Sequence, residues 1–292
     1  MASNPLHIST SIPFEFELIA VPGDLTDLVN TFFSIRTEPG TIEETMPAYS
    51  AQVIVYSEGS GKLITEDGTT YLSETVSCMA PLMQAVPFTI EGPARLVGAS
   101  LTPIGWQCLS GMPADEVNNC TVPASKVFGE KTIAELEELA SNIGDNDAQR
   151  IAAAIGNALH DCRPNLKKRH AGFVSAVTGW LSSELNPDLE ELYRRVAVSE
   201  RTAQRLCRRY FGVSPSRLVK RYRAIRAAML LANPELPQAM RDEILSAYFD
   251  QAHLIRDIRR YTGRTPRALK DESFVQDTLD PDAHGTAARI LR

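Results

Sequence analysis

The sequence has few of the residues and motifs that mark an enzyme or a metalloprotein. Its 292 residues include five histidines, and the first 159 residues contain only His7. A metal site on a β-barrel needs clustered His or Glu ligands, which this first half does not offer. The GxSxG nucleophile turn, the GxGxxG dinucleotide turn and the P-loop are also absent from the sequence. We therefore expect no enzyme activity, no catalytic residues, no metal and no cofactor.

Cysteines and long apolar runs are also sparse. Five cysteines are scattered along the chain without a CxxC pair: Cys78, Cys108, Cys120, Cys162 and Cys207. This distribution predicts reduced and mostly buried thiols, not a disulfide framework or a zinc site. No stretch approaches 18 consecutive apolar residues, and the first residues lack the basic and apolar regions of a signal peptide. We therefore expect a soluble, cytoplasmic protein with no membrane partner.

Charges of opposite sign are segregated along the chain. Residues 1–162 contain 6 Lys and Arg against 21 Asp and Glu, whereas residues 163–271 contain 22 against 11. The overall net charge of −6 conceals this division. A basic segment behind an acidic one indicates that the later segment contacts a polyanion. The alternative is a solvated basic surface without a partner.

The first half of the chain has a β pattern. From Tyr49 to Leu101, short apolar or alternating runs are separated by turn residues. Glu66-Asp67-Gly68 between KLIT and TTYL is typical of a hairpin, and EGSG at 58–61 predicts another turn. An antiparallel β-barrel or sandwich is therefore expected here. With the helical second half described below, the fold class is α+β.

Helical patterns begin after the strands. Thr102 followed by Pro103 predicts an N-cap and first turn of a short helix that ends at Gly111. Two further helices are expected at about 133–143 and 147–161. Pro164 then marks the domain boundary, because proline lacks the donor that would continue a helix. We expect a β-rich regulatory domain at 1–129, a helical linker at 130–164, an all-α domain at 165–271 and a disordered tail at 272–292.

Eight residues occur almost twice in the basic segment. RRYFGVSP at 208–215 returns as RRYTGRTP at 259–266, 51 residues later. In each copy, Gly212 or Gly263 ends a helix and Ser/Thr-Pro opens the next segment. A shorter amphipathic helix precedes each copy, LEELYRRV in the first and MRDEILSA in the second. The pattern predicts two helix-turn-helix units at about 189–212 and 240–263, joined by a central helix from Ser214 to Ala232.

The second helix of the first unit has an outward face suited to DNA. Arg201, Gln204, Arg205 and Arg208 recur at helical spacing, opposite the apolar side chains of the same helix. Arginine pairs with guanine and glutamine with adenine in the major groove, and further arginines hold phosphates. We assign phosphate contacts to four arginines: Arg208, Arg209, Arg259 and Arg260. The alternative is a solvated arginine-rich face on a helix bundle.

SERTAQRLCRRYFGVSPSRL and YFDQAHLIRDIRRYTGRTPRAL resemble the two helix-turn-helix units of the AraC/XylS family of bacterial transcription regulators. The resemblance covers about 100 residues, from near Phe173 to Lys270. It implies seven helices, with two recognition helices entering successive major grooves of double-stranded DNA. It places the base-reading positions on Arg201, Thr202, Gln204 and Arg205 in the first unit and on Gln251, Ala252, Ile255 and Arg256 in the second. His253 matches a histidine of the family motif, which we interpret as structural and not as a metal ligand.

Two departures from the family pattern have consequences. Family members often have glycine in each turn, where this chain has Ala197 and Ala247, so each turn must accommodate a Cβ atom. The second recognition helix also offers Ala252 and Ile255 at positions where the first offers Arg201 and Gln204. Our hypothesis is that the first unit reads most of the sequence while the second supplies affinity.

The N-terminal half resembles, less specifically, the regulatory domain of a subgroup of AraC-like proteins. LVGASLTPIGWQCLSGMPADEV carries this resemblance, and it implies binding of a small effector, formation of a homodimer, or both. The aromatic and sulfur-containing side chains that could line an effector pocket are Tyr49, Tyr56, Met79 and Trp106, with core packing as the alternative. The helices at 133–143 and 147–161 either form a dimer seam or pack on the barrel.

Together these observations predict a sequence-specific transcription regulator controlled by an effector or by dimerisation. An activator would also contact RNA polymerase. Two alternatives from other classes are a non-specific DNA-compacting protein and a cupin-like enzyme with a DNA-binding appendage.

Overall fold

The computed structural model describes residues 14–48, 50–142, 147–163, 168–233 and 235–270. Three of the expectations above fall outside these ranges. They are the effector contact of Tyr49, the domain boundary at Pro164 and the disordered tail at 272–292.

Within the described residues, seven antiparallel strands form the N-terminal sheet. They are β1 (Phe14–Ile19), β2 (Val29–Met46), β3 (Gln52–Ile64), β4 (Thr70–Leu72), β5 (Val76–Met79), β6 (Val86–Leu101) and β7 (Thr121–Pro123). The strand order is β1-β2-β6-β3-β5-β7, and β4 pairs with β3. This sheet and the helices that follow confirm the predicted α+β class.

The strands are longer than the sequence pattern indicated. The turn predicted at 58–61 is wrong, because these residues lie inside β3 and form an irregularity in its pairing with β6. Gly59 supplies a φ of +76° there, which glycine adopts without steric cost. The hairpin at 66–68 is confirmed, with Ile64 paired to Thr70 across it. Strands β1 and β2 had not been predicted, although β2 is 18 residues long.

The two faces of the sheet pack against different partners. Along β3, Val53 and Val55 belong to a core shared with helices, whereas Ile54 and Tyr56 point to the opposite face. That opposite face encloses a cavity lined by residues from β1 at one edge and β7 at the other. Because strands from both edges line one cavity, the sheet must curl around it in a barrel-like manner.

Three helices cover the outer face of the sheet: α1 (Pro103–Ser110), α2 (Glu130–Ser141) and α3 (Asp147–Cys162). The caps of α1 are as predicted, with the Thr102 hydroxyl accepting from the Gly105 N–H at 3.0 Å and Gly111 left-handed at the end. Leu136 of α2 and Ile155 of α3 are fully buried in the core formed with the sheet. A dimer through these helices would therefore have to use their other side chains.

Six helices follow: α4 (Lys168–Leu181), α5 (Leu189–Arg195), α6 (Glu200–Phe211), α7 (Pro215–Ala232), α8 (Gln238–Ser246) and α9 (Gln251–Thr262). The first of the two helix-turn-helix units shares one continuous core with the sheet and helices α1–α3, through residues such as Leu192 and Phe211. The second unit has a separate core that includes Ile244 and Ile258, and among the described residues of the N-terminal domain only Ala48 joins its buried residues. The two units are therefore attached to the rest of the chain in different ways.

Candidate nucleic-acid interface

The first helix-turn-helix unit consists of α5 and α6. Asp188 caps α5 by accepting from the Glu190 N–H at 3.2 Å. Ser199 caps α6 by accepting from the Thr202 N–H at 3.4 Å, and Gly212 ends the helix with a φ of +76°. These local hydrogen bonds satisfy orphan backbone groups at the helix ends and set where the recognition helix begins and stops.

The second unit, α8 and α9, repeats this construction. Asp250 caps α9 by accepting from the His253 N–H at 2.6 Å, and Gly263 ends it with a φ of +77°. Ala247 has a φ of −75°, and among the described residues other than glycine only Asn119 has a positive φ. The alanines in the two turns are thus accommodated without strain. Ser214 stands before α7 as predicted, but its side chain makes no capping hydrogen bond.

The positions expected to contact bases or phosphates lie on α6 and α9. On α6 the exposed side chains are Arg201, Arg205 and Arg208, and those of Thr202, Gln204 and Arg209 are half-buried. On α9 they are all exposed: Gln251, Ala252, Ile255, Arg256, Arg259 and Arg260. The Gln204 amide donates to the Glu200 carboxylate at 3.0 Å, and its second N–H and its oxygen are left for a base.

Arg223 of α7 is a buried residue that the sequence reasoning missed. Its guanidinium donates to the Asn186 side chain at 3.1 Å and to the Ala247 carbonyl oxygen at 3.0 Å. It also lies 3.6 Å from the Asp257 carboxylate and over the Tyr248 ring. Arg223 thereby joins the segment before the first unit to the turn and recognition helix of the second.

A signal for this role exists in the sequence. Val219, Arg223 and Ala227 recur every four residues, which places the arginine on the buried side of α7. His253 contributes to the same cluster, with its Nε2 atom 3.3 Å from the Asp257 carboxylate and its ring edge-on to Tyr248. In the part of the chain that is described, no group of three His, Cys, Asp or Glu residues could hold a metal ion.

The N-terminal domain contacts both recognition helices at equivalent positions of the repeat. The Ala114 N–H donates to the Arg209 carbonyl oxygen at 2.7 Å, and the Ala85 N–H donates to the Arg260 carbonyl oxygen at 2.9 Å. Arg209 and Arg260 are 51 residues apart, which is the spacing of the repeat. The C-terminal ends of α6 and α9 are therefore held by the N-terminal domain.

The attachment of the second unit includes a buried ion pair. Arg264, just after α9, pairs with both carboxylate oxygens of Glu44 on β2, and the exposed fractions of the two side chains are 14% and 2%. Four residues after Glu44, just beyond the end of β2, the Ala48 N–H donates to the Tyr261 carbonyl oxygen at 2.7 Å. Strand β2 thus links the sheet domain to the second recognition helix.

A cavity of about 90 Å³ lies inside the curled sheet. Its lining is mainly apolar, with Phe33, Phe88 and Met79 among the contributors, and Lys62 and Tyr56 add polar atoms. Burial raises the pKa of Tyr56 to about 12, so its hydroxyl remains a hydrogen-bond donor at neutral pH. Trp106 does not line this cavity. It packs in the core on the helical side of the sheet with 1% of its side chain exposed.

A second cavity separates α1 from the first recognition helix. This open space of about 590 Å³, hereafter the basic cavity, is lined by Cys108 and Ser110 on one side and by three arginines on the other, Arg169, Arg205 and Arg209. His170 also lines it and bonds the Tyr210 hydroxyl through Nδ1 at 2.7 Å. The base-reading candidate Arg205 therefore borders the N-terminal domain.

The comparison with family models agrees with the two helix-turn-helix units. Residues 192–272 match the family model of a helix-turn-helix domain. Among solved structures, the crystal structure of the AraC-like transcriptional activator CuxR is similar, with 16% sequence identity, 82% of each chain covered and a TM-score of 0.34. No curated protein matches the sequence.

These findings define a class first. With its two capped helix-turn-helix units, the chain is a DNA-binding transcription regulator. Its helix-turn-helix domain is of the AraC type, as its resemblance to the AraC/XylS family predicted. None of the helices in the described ranges is long and apolar enough to cross a membrane.

Proposed function

We propose that this protein is a sequence-specific transcription regulator whose two recognition helices enter successive major grooves of double-stranded DNA. One observation carries the proposal: α6 and α9 both expose arginine-rich outward faces, and the N-terminal domain contacts the C-terminal end of each helix. Two grooves on one face of DNA imply a protected site of about two helical turns per protomer. Footprinting on the region upstream of neighbouring genes tests this, since a DNA-compacting protein would leave no bounded site.

The two units divide the work unequally in this proposal. The first unit offers Arg201 and Gln204 to base edges, whereas the second offers exposed Ile255 and leaves Arg256 as its main polar contact. Phe249, in the turn before α9, is 92% exposed and adds apolar surface for thymine methyl groups. The first unit therefore supplies most of the discrimination between DNA sequences, and the second supplies most of the sequence-independent affinity.

Alanine variants distinguish sequence discrimination from sequence-independent affinity. Gln204→Ala should lose about 1 to 3 kcal/mol of discrimination between operator and random DNA. Arg256→Ala should weaken binding to both DNAs alike and lower the salt slope by about one. Arg95→Ala, an exposed arginine on the sheet, is the control and should change neither quantity. Equal losses of discrimination from the first two variants would contradict the division of labour.

Control by a small effector is the second part of the proposal. The cavity in the sheet is mainly apolar with a few polar atoms, as small-molecule sites are, and its volume of about 90 Å³ restricts it to a small ligand. Met46 lines it from the same strand that carries Glu44, so an occupant would press on the strand that holds the second recognition helix. We expect an effector that is mainly apolar with one or two hydrogen-bonding groups.

A thermal-shift screen of such molecules tests the effector site. At a concentration of 100 times Kd, an effector should stabilise the protein by about 2.7 kcal/mol. Replacing Leu63 of the cavity wall by Lys should abolish the shift, whereas replacing the exposed Leu72 by Lys should preserve it. The rival mode of control is a homodimer, which size-exclusion chromatography would reveal. An activator would in addition bind RNA polymerase. We propose no enzymatic role.

A further inference from the structure

Two cysteines that are distant in sequence meet beside the first recognition helix. The sulfur of Cys162, the last residue of α3, lies 3.0 Å from the sulfur of Cys108 on α1 and 3.0 Å from the Leu159 carbonyl oxygen. A disulfide needs a sulfur–sulfur distance of about 2.05 Å. A relative shift of roughly 1 Å would therefore join the two sulfurs.

The environment gives the two thiols different roles. The hydrogen bond from the Cys162 thiol lowers the pKa of Cys108, and the Arg163 guanidinium lowers it further, against the opposing effects of burial and of Asp27. The same hydrogen bond and burial raise the pKa of Cys162. Arg163 is held near by two bonds to the Asp27 carboxylate, of 3.0 and 2.9 Å. Cys108 is thus the more acidic thiol of the pair and Cys162 the less acidic one.

Cys108 borders an open cavity, although it is itself only 7% exposed. It forms part of the wall of the basic cavity, facing Arg169, Arg205 and Arg209. A low-pKa thiol in an electropositive and partly open environment is the usual setting of a reactive cysteine. By contrast, Cys78 and Cys207 are fully buried, and burial raises the pKa of each to about 12.

We propose that Cys108 and Cys162 form a reversible disulfide through which a peroxide-class oxidant acts on the first helix-turn-helix unit. The Cys108 thiolate attacks one oxygen of H2O2 and the O–O bond breaks, leaving a sulfenic acid and hydroxide, which takes up a proton to give water. The Cys162 sulfur then attacks the Cys108 sulfur, the S–O bond breaks, and a second water leaves with the Cys162 proton. Two thiols and one peroxide give one disulfide and two waters, and a dithiol such as dithiothreitol reverses the change.

The position of the pair explains how oxidation would reach the DNA-binding domain. The disulfide would tie α1 to the end of α3, and the segment after α1 carries Ala114, which bonds the Arg209 carbonyl oxygen of α6. A shift of α1 therefore changes the contact that holds the first recognition helix. This regulatory step rests on the proposed DNA-binding function, whereas formation of the disulfide does not.

The disulfide is tested on the full chain without DNA. After treatment with H2O2, alkylation under denaturing conditions and peptide mass analysis should find Cys108 linked to Cys162, with the link lost in dithiothreitol. In Cys162→Ser, Cys108 should stop at a sulfenic acid that dimedone traps. Cys120→Ser, which removes a half-buried cysteine outside the pair, should still form the link. Free thiols at both positions after oxidation of the folded protein would overturn the proposal.

The regulatory step is tested by DNA affinity. Reduced protein is first shown to protect a bounded site, and failure there counts against the proposed function alone. Oxidised protein should then bind that site with an affinity changed by about fivefold or more, the low end of ordinary coupling between sites. Cys120→Ser should show the same change, and Cys108→Ser should show none. Equal affinity of the oxidised and reduced forms would overturn the action on the helix-turn-helix unit.

Discussion

Replacing Glu44 by Gln removes the charge that holds Arg264, and with it a buried ion pair between the sheet and the second unit. The two side chains are 2% and 14% exposed, so neither charge is well hydrated. Removing one partner of a buried ion pair costs about 3 to 5 kcal/mol, because the other charge stays uncompensated. Arg264 retains some contact with water, and the amide oxygen of the introduced glutamine can still accept a hydrogen bond from it. We therefore expect a loss of unfolding free energy at the low end of this range, about 3 kcal/mol.

Urea denaturation measures this cost. With a slope of about 3 kcal/mol per molar urea, the Glu44→Gln variant should unfold at about 1 M lower urea than the native sequence. Hydrogen exchange should quicken at the Ala48 N–H, which donates to Tyr261 across the same junction. An Arg264→Gln variant should cost a similar amount, and the double variant should cost less than the sum of the two single changes.

The sheet also provides a matched control. Arg95 and Glu58 lie 3.6 Å apart and are 47% and 43% exposed, so Glu58→Gln should cost less than about 1 kcal/mol. If the Glu44 and Glu58 variants unfolded at the same urea concentration, the buried pair would not hold the domains together. The reasoning about β2 as the link to the second recognition helix would then be refuted.

Three further predictions concern the backbone and the core. Gly263→Ala should lower the free energy of unfolding in urea by at least about 1 kcal/mol more than Gly68→Ala does. Both glycines have a positive φ, but only at Gly263 would the new methyl group overlap a side chain, that of Thr45. Equal losses from the two variants would contradict this contact. Thr102→Ala should lower the unfolding free energy by about 1 to 2 kcal/mol through loss of the α1 cap, and Thr102→Ser should restore most of it. Burial raises the pKa of Cys78 from 9.0 to about 12, so the folded state keeps a proton that the unfolded state loses above pH 9. Stability should therefore fall by about 1.4 kcal/mol per pH unit from this group between pH 9 and 12, and Cys78→Ala should have a correspondingly flatter profile in thermal melts over that range.

The sequence was most informative where the determining interactions are local. The caps Ser199 and Asp250 bond backbone groups three residues away, and Gly212 and Gly263 end helices through their own φ angles. Such features depend on nearest neighbours and can be read without the fold. The same reasoning failed at 58–61, where glycines that are typical of a turn instead allow an irregularity inside a long strand.

In the candidate site, too, the local features could be predicted from the sequence and the tertiary ones could not. The outward positions of α6 and α9 follow from helical periodicity, and their exposure agrees with that pattern. Of the four residues proposed for an effector pocket, Tyr56 and Met79 line the cavity and Trp106 does not. Aromatic residues pack on both faces of a sheet, and the curvature of the sheet decides which of the two faces lines the cavity.

By itself, the sequence determined the class of the DNA-binding domain, the ends of its recognition helices and the side chains they present, because these depend on residues within about one helical turn of each other. Tertiary structure alone decided how the domain is held. Glu44 and Arg264 are 220 residues apart, and Cys108 and Cys162 are 54 apart. Neither pair carries a mark in the sequence, since each contact exists only after the sheet, its covering helices and the two units have packed together.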